Sequence, residues 1–233
     1  MFNSKRDIVY VILAGIFVTN AVVAELIGGK LIQIGPFIMS IGIIPWPVVF
    51  LTTDLINEHY GKKGVRRLSL ITAALVAYAF VVLFFSINIK AADISTVNDE
   101  QFKAVFGQSM WIIVASIIAF LVSQVIDVFI FWALRDKTGG KMIWLRSTGS
   151  TVISQLIDTF VVLGIAFWLP GKMTTENYIN AALTGYTFKL IIAVALTPLI
   201  YAGHAVINNY IGKSETHEII EIAEKELHHK LKN

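Results

Sequence analysis

The sequence predicts an all-α integral membrane protein of six transmembrane helices with both termini on the cytoplasmic side. Three observations predict it. The 233 residues are 56% hydrophobic with a mean hydropathy of +0.71, whereas an ordinary soluble domain is about 45–50% apolar. The apolar residues fall into runs of roughly 20, the length of helix that crosses about 30 Å of hydrocarbon. Lys and Arg gather in alternate segments between those runs, as the bias of cytoplasmic loops toward positive charge requires.

The spans are placed in order at about 8–25, 36–53, 68–89, 110–134, 147–169 and 179–207. The chain opens with Lys5 and Arg6 before an apolar run, as a secretory signal does. The run from Ile8 to Ala24 is too long for a signal core and lacks a small-residue cleavage site, so it reads as the first span. The second span holds Pro36, Pro45 and Pro47 and the sixth holds Pro198; proline removes an amide hydrogen bond, so both are expected to bend or break. Fourteen of the 19 Lys and Arg lie in segments assigned to the cytoplasm, among them Lys62, Lys63, Arg66 and Arg67, and Arg135, Lys137, Lys141 and Arg146. Between Ala91 and Ser109 a short outer helix is expected, with Asn98 as its N-cap. Residues 1–213 form one transmembrane domain. Residues 214–233 read as a cytoplasmic amphipathic tail, with Ile219, Ile220, Ala223, Leu227 and Leu231 at helical spacing.

The candidate site lies inside the last three spans. Ser123-Gln124-Val125-Ile126-Asp127 in the fourth span recurs as Ser154-Gln155-Leu156-Ile157-Asp158 in the fifth. An Asp at the centre of a membrane helix costs about 2.5–3.5 kcal/mol on insertion scales, and such residues face the protein interior and mark solute or ion routes. Gln124 precedes Asp127 by three residues and Gln155 precedes Asp158 by three, so each pair shares a helix face. Lys189 in the sixth span can pair with Asp158, and Asn20 adds an amide near the outer end of the first. Ser123, Thr151 and Ser154 read more simply as hydrogen-bonding glue between helices. Asp54 and Glu58, at i and i+4 after the second span, are expected to bind a cation, to pair with Arg66 or Arg67, or to line an inner gate. His204 reads as interfacial.

Enzyme chemistry finds no foothold. The sequence has no cysteine and no zinc-ligand cluster, and it lacks the HExxH, GxSxG and P-loop patterns. No cofactor and no metal are expected, and nothing suggests nucleic acid as a partner. A single asymmetric cluster of Asp, Gln and Lys suits one bound solute better than the repeated polar rings of a pore.

Four pieces of the sequence together resemble the YhhQ-type queuosine precursor transporters. They are Trp46-Pro47 through Asp54-Leu55 with Tyr60-Gly61 and Arg66-Arg67, Gln124 to Asp127 with Val128 and Phe131, Ser147 to Thr159, and Phe188-Lys189. The resemblance runs from about Asn20 to Tyr201. It implies membership of the vitamin uptake transporter group, a fold similar to energy-coupling-factor substrate-binding subunits, and inward transport of 7-cyano-7-deazaguanine or 7-aminomethyl-7-deazaguanine across the inner membrane. A carboxylate can accept both donors on the guanine-like edge of such a base; Asp158 is the first choice and Asp127 the second. Gln155, Gln124 or Asn20 then serves the lactam oxygen or ring nitrogens, Lys189 positions Asp158 or contacts that oxygen, and Trp46, Phe50, Phe131, Phe160 and Phe188 are candidates to stack on the ring. Alternatives left open are a subunit that needs a separate ATP-driven module, a homodimer, and a different nucleobase or vitamin-like solute.

Overall fold

In this computed structural model, residues 4–35, 37–107, 110–138 and 142–212 are described; the amphipathic tail expected over 214–233 lies outside them. The elements in order are α1 (Lys5–Ile27), the antiparallel hairpin β1 (Leu31–Ile34) and β2 (Phe37–Ser40), a 3₁₀ turn (Ile41–Ile43), α2 (Trp46–Asn88), α3 (Asp99–Phe106), α4 (Met110–Thr138), α5 (Ile143–Leu163) with a π-helical turn (Gly164–Trp168), and α6 (Thr175–Ile211). The described residues are an α-helical membrane protein. Five stretches are long and apolar enough to cross a bilayer, one of them 48 residues long, from Ile41 to Asn88. Tyr78, Phe84, Phe85 and Val206 all leave more than half their surface exposed, which water would not tolerate over so wide an area.

The second and third expected spans are one helix by hydrogen bonding, and the charged segment expected to loop between them is helical. The second span also begins later than expected, since 37–40 form a strand. Pro45 caps α2 and Pro47 sits in its first turn, where a missing amide proton costs nothing because no carbonyl precedes it. α6 continues through Pro198. The short helix expected after Asn98 forms, with Asn98 and Gln101 closing a capping box.

α2 is not straight. Gly61 has φ 70° and ψ −179°, a region nearly closed to residues with a Cβ. Trp46 shares a small cavity with Ala73 and Val76, although a straight helix would hold Trp46 and Val76 about 45 Å apart. The two arms of α2 therefore fold back on one another at Gly61. The bend is clasped by α1: Tyr10 donates to the Gly64 carbonyl at 3.2 Å and Tyr60 donates to the Arg6 carbonyl at 2.8 Å. Lys5 stands 5.6 Å from the Tyr210 ring, so the start of α1, the α2 bend and the end of α6 lie at one end of the bundle. Val9, Leu13 and Phe17 of α1, Val49, Ile56 and Leu68 of α2, Phe120 of α4 and Ile207 of α6 form the apolar core. Against the first arm of α2 the glycine at 203 allows close approach: a Cβ there would meet Leu55 at 3.1 Å.

Candidate functional site: a buried polar centre between four helices

Residues Thr52 through His59, on the first arm of α2, are all buried. A helix with one buried stripe would alternate every few residues, so this arm is enclosed by protein on every side. It carries Asp54, Asn57, Glu58 and His59 into the interior, at 2%, 0%, 5% and 0% exposure. Such residues at membrane depth must find partners within the protein.

The partners come from α4, α5 and α6. Ser147 of α5 donates to Asp54 Oδ2. Asp127 of α4 accepts from Ser154 at 3.1 Å and also faces Ser150 and Thr151. Thr151 and Ser154, which the sequence suggested as helix glue, therefore face a carboxylate, whereas Ser123 bonds the Phe120 carbonyl of its own helix. Asp54 and Asp127 stand within electrostatic reach of one another, so two helices bring acids to one buried place. On α2 and α5, four buried polar atoms have no hydrogen-bond partner among the described residues: Asp54 Oδ1, Asn57 Oδ1 and Nδ2, and Gln155 Oε1. Leaving a buried donor or acceptor unmet costs about 1–3 kcal/mol. The set can offer a solute one carboxylate oxygen, two amide oxygens and one amide N–H₂.

One turn further toward the bend, Glu58 Oε1 accepts from Arg146 of α5 at 2.6 Å and Glu58 Oε2 from Arg135 of α4 at 3.3 Å. Neither partner is Arg66 or Arg67, the pair suggested by proximity in sequence. Arg135 and Arg146, expected among the loop charges, are 3% and 1% exposed. They lie over Trp132 at 4.8 Å and Phe131 at 5.7 Å. His204 is not interfacial either: it is buried, and its Nδ1 is 3.2 Å from His59 Nε2. These contacts tie α2, α4, α5 and α6 together between the acids and the end of the bundle where α1 begins.

The sequence candidates divide among four places. Asp127 belongs to the buried acidic centre, and Gln155, the residue after Ser154 on α5, is buried. Asp158 and Lys189 form an ion pair at 2.8 Å, each about one-fifth exposed, with Glu25 of α1 within electrostatic reach. Gln124 faces α2 instead, accepting from Ser69 at 3.5 Å, and Asn20 donates to the Ile16 carbonyl of its own helix. Trp46 and Phe50 stack with centroids 5.8 Å apart, about two turns and one turn before Asp54. Phe50, Asp54, Ser147 and Thr151 line a crevice of about 10 Å³, far smaller than a base. Asp54 and Asn57 are the residues that sequence reasoning weighed too lightly. The signal was a run of Thr, Asp, Asn, Glu and His continuing an apolar span without Gly or Pro to break it.

Among known proteins, the model of a family described as a putative vitamin uptake transporter matches residues 40–203. This chain belongs to the vitamin uptake transporter family. The matched stretch contains Asp54, Asn57, Asp127, Gln155, Asp158 and Lys189, and leaves Asn20 and Glu25 outside. Similar relatives include a probable queuosine precursor transporter of Bacillus subtilis (strain 168), 27% identical over 182 residues, covering 77% of this chain and 78% of the relative. The queuosine precursor transporter of Escherichia coli (strain K12) is 29% identical over 160 residues, 66% of each chain. A probable queuosine precursor transporter of Haemophilus influenzae is 30% identical over 159 residues, 66% of this chain and 63% of the relative. No solved structure matches the chain. The vitamin uptake family assignment and the apolar helices agree on a multi-pass membrane protein that works in transport.

Proposed function

We propose that this protein imports queuosine precursors, 7-cyano-7-deazaguanine or 7-aminomethyl-7-deazaguanine, across the inner membrane through a site at mid-bundle. The observation that carries the reading is the buried pair of acids Asp54 and Asp127, with unmet polar atoms on Asp54, on Asn57 one turn along α2 and on Gln155 next to Ser154 of α5. A deazaguanine presents a ring N–H and an exocyclic amine side by side, with a lactam oxygen adjacent. A carboxylate takes the two donors in charge-assisted bonds, and an amide N–H₂ serves the oxygen. In this reading Asp127 or Asp54 binds the donor edge, Asn57 and Gln155 bind the rest, and Phe50 packs on the ring face. Asp158, neutralised by Lys189, lines the outward side of the path, with Asn20 beyond it, and Gln124 backs the α2–α4 contact. A second carboxylate suits the cationic aminomethyl substrate.

The topology we propose is six crossings with both ends in the cytoplasm, as in energy-coupling-factor binding subunits. The folded-back arms of α2 support it by supplying two antiparallel passes. So does the meeting of the start of α1 and the end of α6 at one end of the bundle. The Glu58–Arg135–Arg146 and His59–His204 contacts then close the path on the cytoplasmic side. The crevice at Asp54 holds no base as it stands, so loading requires α2 and α5 to separate there, the movement expected of a carrier.

The test is equilibrium binding of 7-cyano-7-deazaguanine to the purified chain. Asp127→Asn and Gln155→Ala are each expected to weaken it about 10- to 100-fold, the loss of a hydrogen bond to a charged group or of a buried partner. Unchanged binding in both variants would remove this site. Uptake into liposomes by the purified chain alone separates a self-sufficient carrier from a subunit that needs an ATP-driven module.

A further inference from the structure

A sizeable cavity lies away from the acidic centre. It is a groove of about 550 Å³ between the second arm of α2 and α4, within the volume range of about 300–1,000 Å³ typical of ligand sites. Its length is apolar. Leu70, Val125 and Phe129 are 54%, 67% and 67% exposed, so they face hydrocarbon in a bilayer. Its end near the α2 bend carries Lys62, Lys63 and Arg66. Lys62 stands 5.8 Å from the ring of Trp132, whose buried indole N–H has no acceptor among the described residues. Asp136 is within electrostatic reach of Lys62, and the exposed Arg66 adds a second cation at this end.

We propose that this groove binds one anionic phospholipid, its phosphate held by Lys62, Lys63 and Arg66 and an acyl chain laid along Leu70, Val125 and Phe129. A groove that opens sideways between two membrane helices fills with acyl chain, and its basic end selects the headgroup by charge. Basic pockets between transmembrane helices on the cytoplasmic side are suited to acidic headgroups. A deazaguanine fits the groove poorly, because its polar groups Ser69 and Gln124 already face each other and most of its wall offers a base no hydrogen bond. The leaflet assignment rests on the cytoplasmic placement of the α2 bend; the binding itself does not.

The experiment is native mass spectrometry together with thermal unfolding of the full chain in detergent, with phosphatidylglycerol, phosphatidylcholine or inorganic phosphate added. Phosphatidylglycerol is expected to stay bound and raise the melting temperature by several degrees, while phosphatidylcholine and inorganic phosphate do neither. Lys62→Gln/Arg66→Gln should weaken phosphatidylglycerol at least tenfold. Val125→Trp, which fills the exposed trench without changing charge, should reduce lipid retention whatever the headgroup. Arg67→Gln removes one charge from the same segment beside Tyr10 of α1, outside the groove lining, and should leave the preference intact. Equal retention of the two lipids, an equal shift from inorganic phosphate, or a preference that survives the double variant overturns the proposal. Displacement of the lipid by 7-cyano-7-deazaguanine, lost in Val125→Trp, would assign the groove to the substrate instead.

Discussion

Glu58 holds two buried guanidiniums, and its neutral replacement removes the carboxylate they share. Breaking one side of a buried ion pair costs about 3–5 kcal/mol, because the remaining charge stays desolvated. Glu58→Gln is therefore expected to lower the unfolding temperature in detergent markedly, and Arg66→Gln, on the exposed face, hardly at all. The Asp158–Lys189 pair behaves differently. Each partner keeps about one-fifth of its surface exposed, so each single neutral variant should destabilise modestly. The double variant Asp158→Asn/Lys189→Met should cost less than the two singles together, by about 1–2 kcal/mol in a double-mutant cycle. That pair was legible because two costly charges on neighbouring spans have few other ways to reduce their burial. The Glu58 pairs were not. Arg66 and Arg67 lie eight and nine residues away along the chain, while Arg135 and Arg146 lie 77 and 88 away, and no local rule reaches that distance.

At the scale of elements, the telling case is α2. Hydropathy separates its two apolar stretches with a charged segment, and charge next to glycine reads as a loop. The structure keeps that segment helical up to and beyond Gly61, because Asp54, Glu58 and His59 find partners on α4, α5 and α6 and need no water. Only Gly61 departs from helical geometry, at a positive φ. Gly61→Ala is expected to cost about 1–3 kcal/mol of backbone strain, seen as reduced yield and a lower unfolding temperature, with contacts at the acidic centre loosened. Gly15, also in a helix and with open space where a Cβ would sit, should accept the same change readily. The β1–β2 hairpin went unread for a related reason: Leu31–Ile34 and Phe37–Ser40 are short apolar runs beside a proline, and in a chain this hydrophobic they merge into the neighbouring span.

For the molecule as a whole, the absence of cysteine from the sequence makes the proposed topology directly testable. Single cysteines placed at Lys103 or Lys172 should react with an impermeant maleimide added to intact cells. Cysteines at Lys63 or Lys137 should react only after the membrane is opened, and labelling of both sets from outside would overturn the six-crossing arrangement. Composition and loop charge were enough to establish an apolar helical protein built for a bilayer, because those signals are summed over many residues and need no knowledge of contacts. The sequence also showed that polar groups sit where lipid would reject them. Which of them meet was decided only by the tertiary structure. Packing α2 against α4 and α5 brings Asp54 within reach of Asp127 and Ser147, while Asp158 pairs aside with Lys189 and Gln124 turns to Ser69. Periodicity places a residue on a face of its own helix; the packing of four helices determines what that face touches.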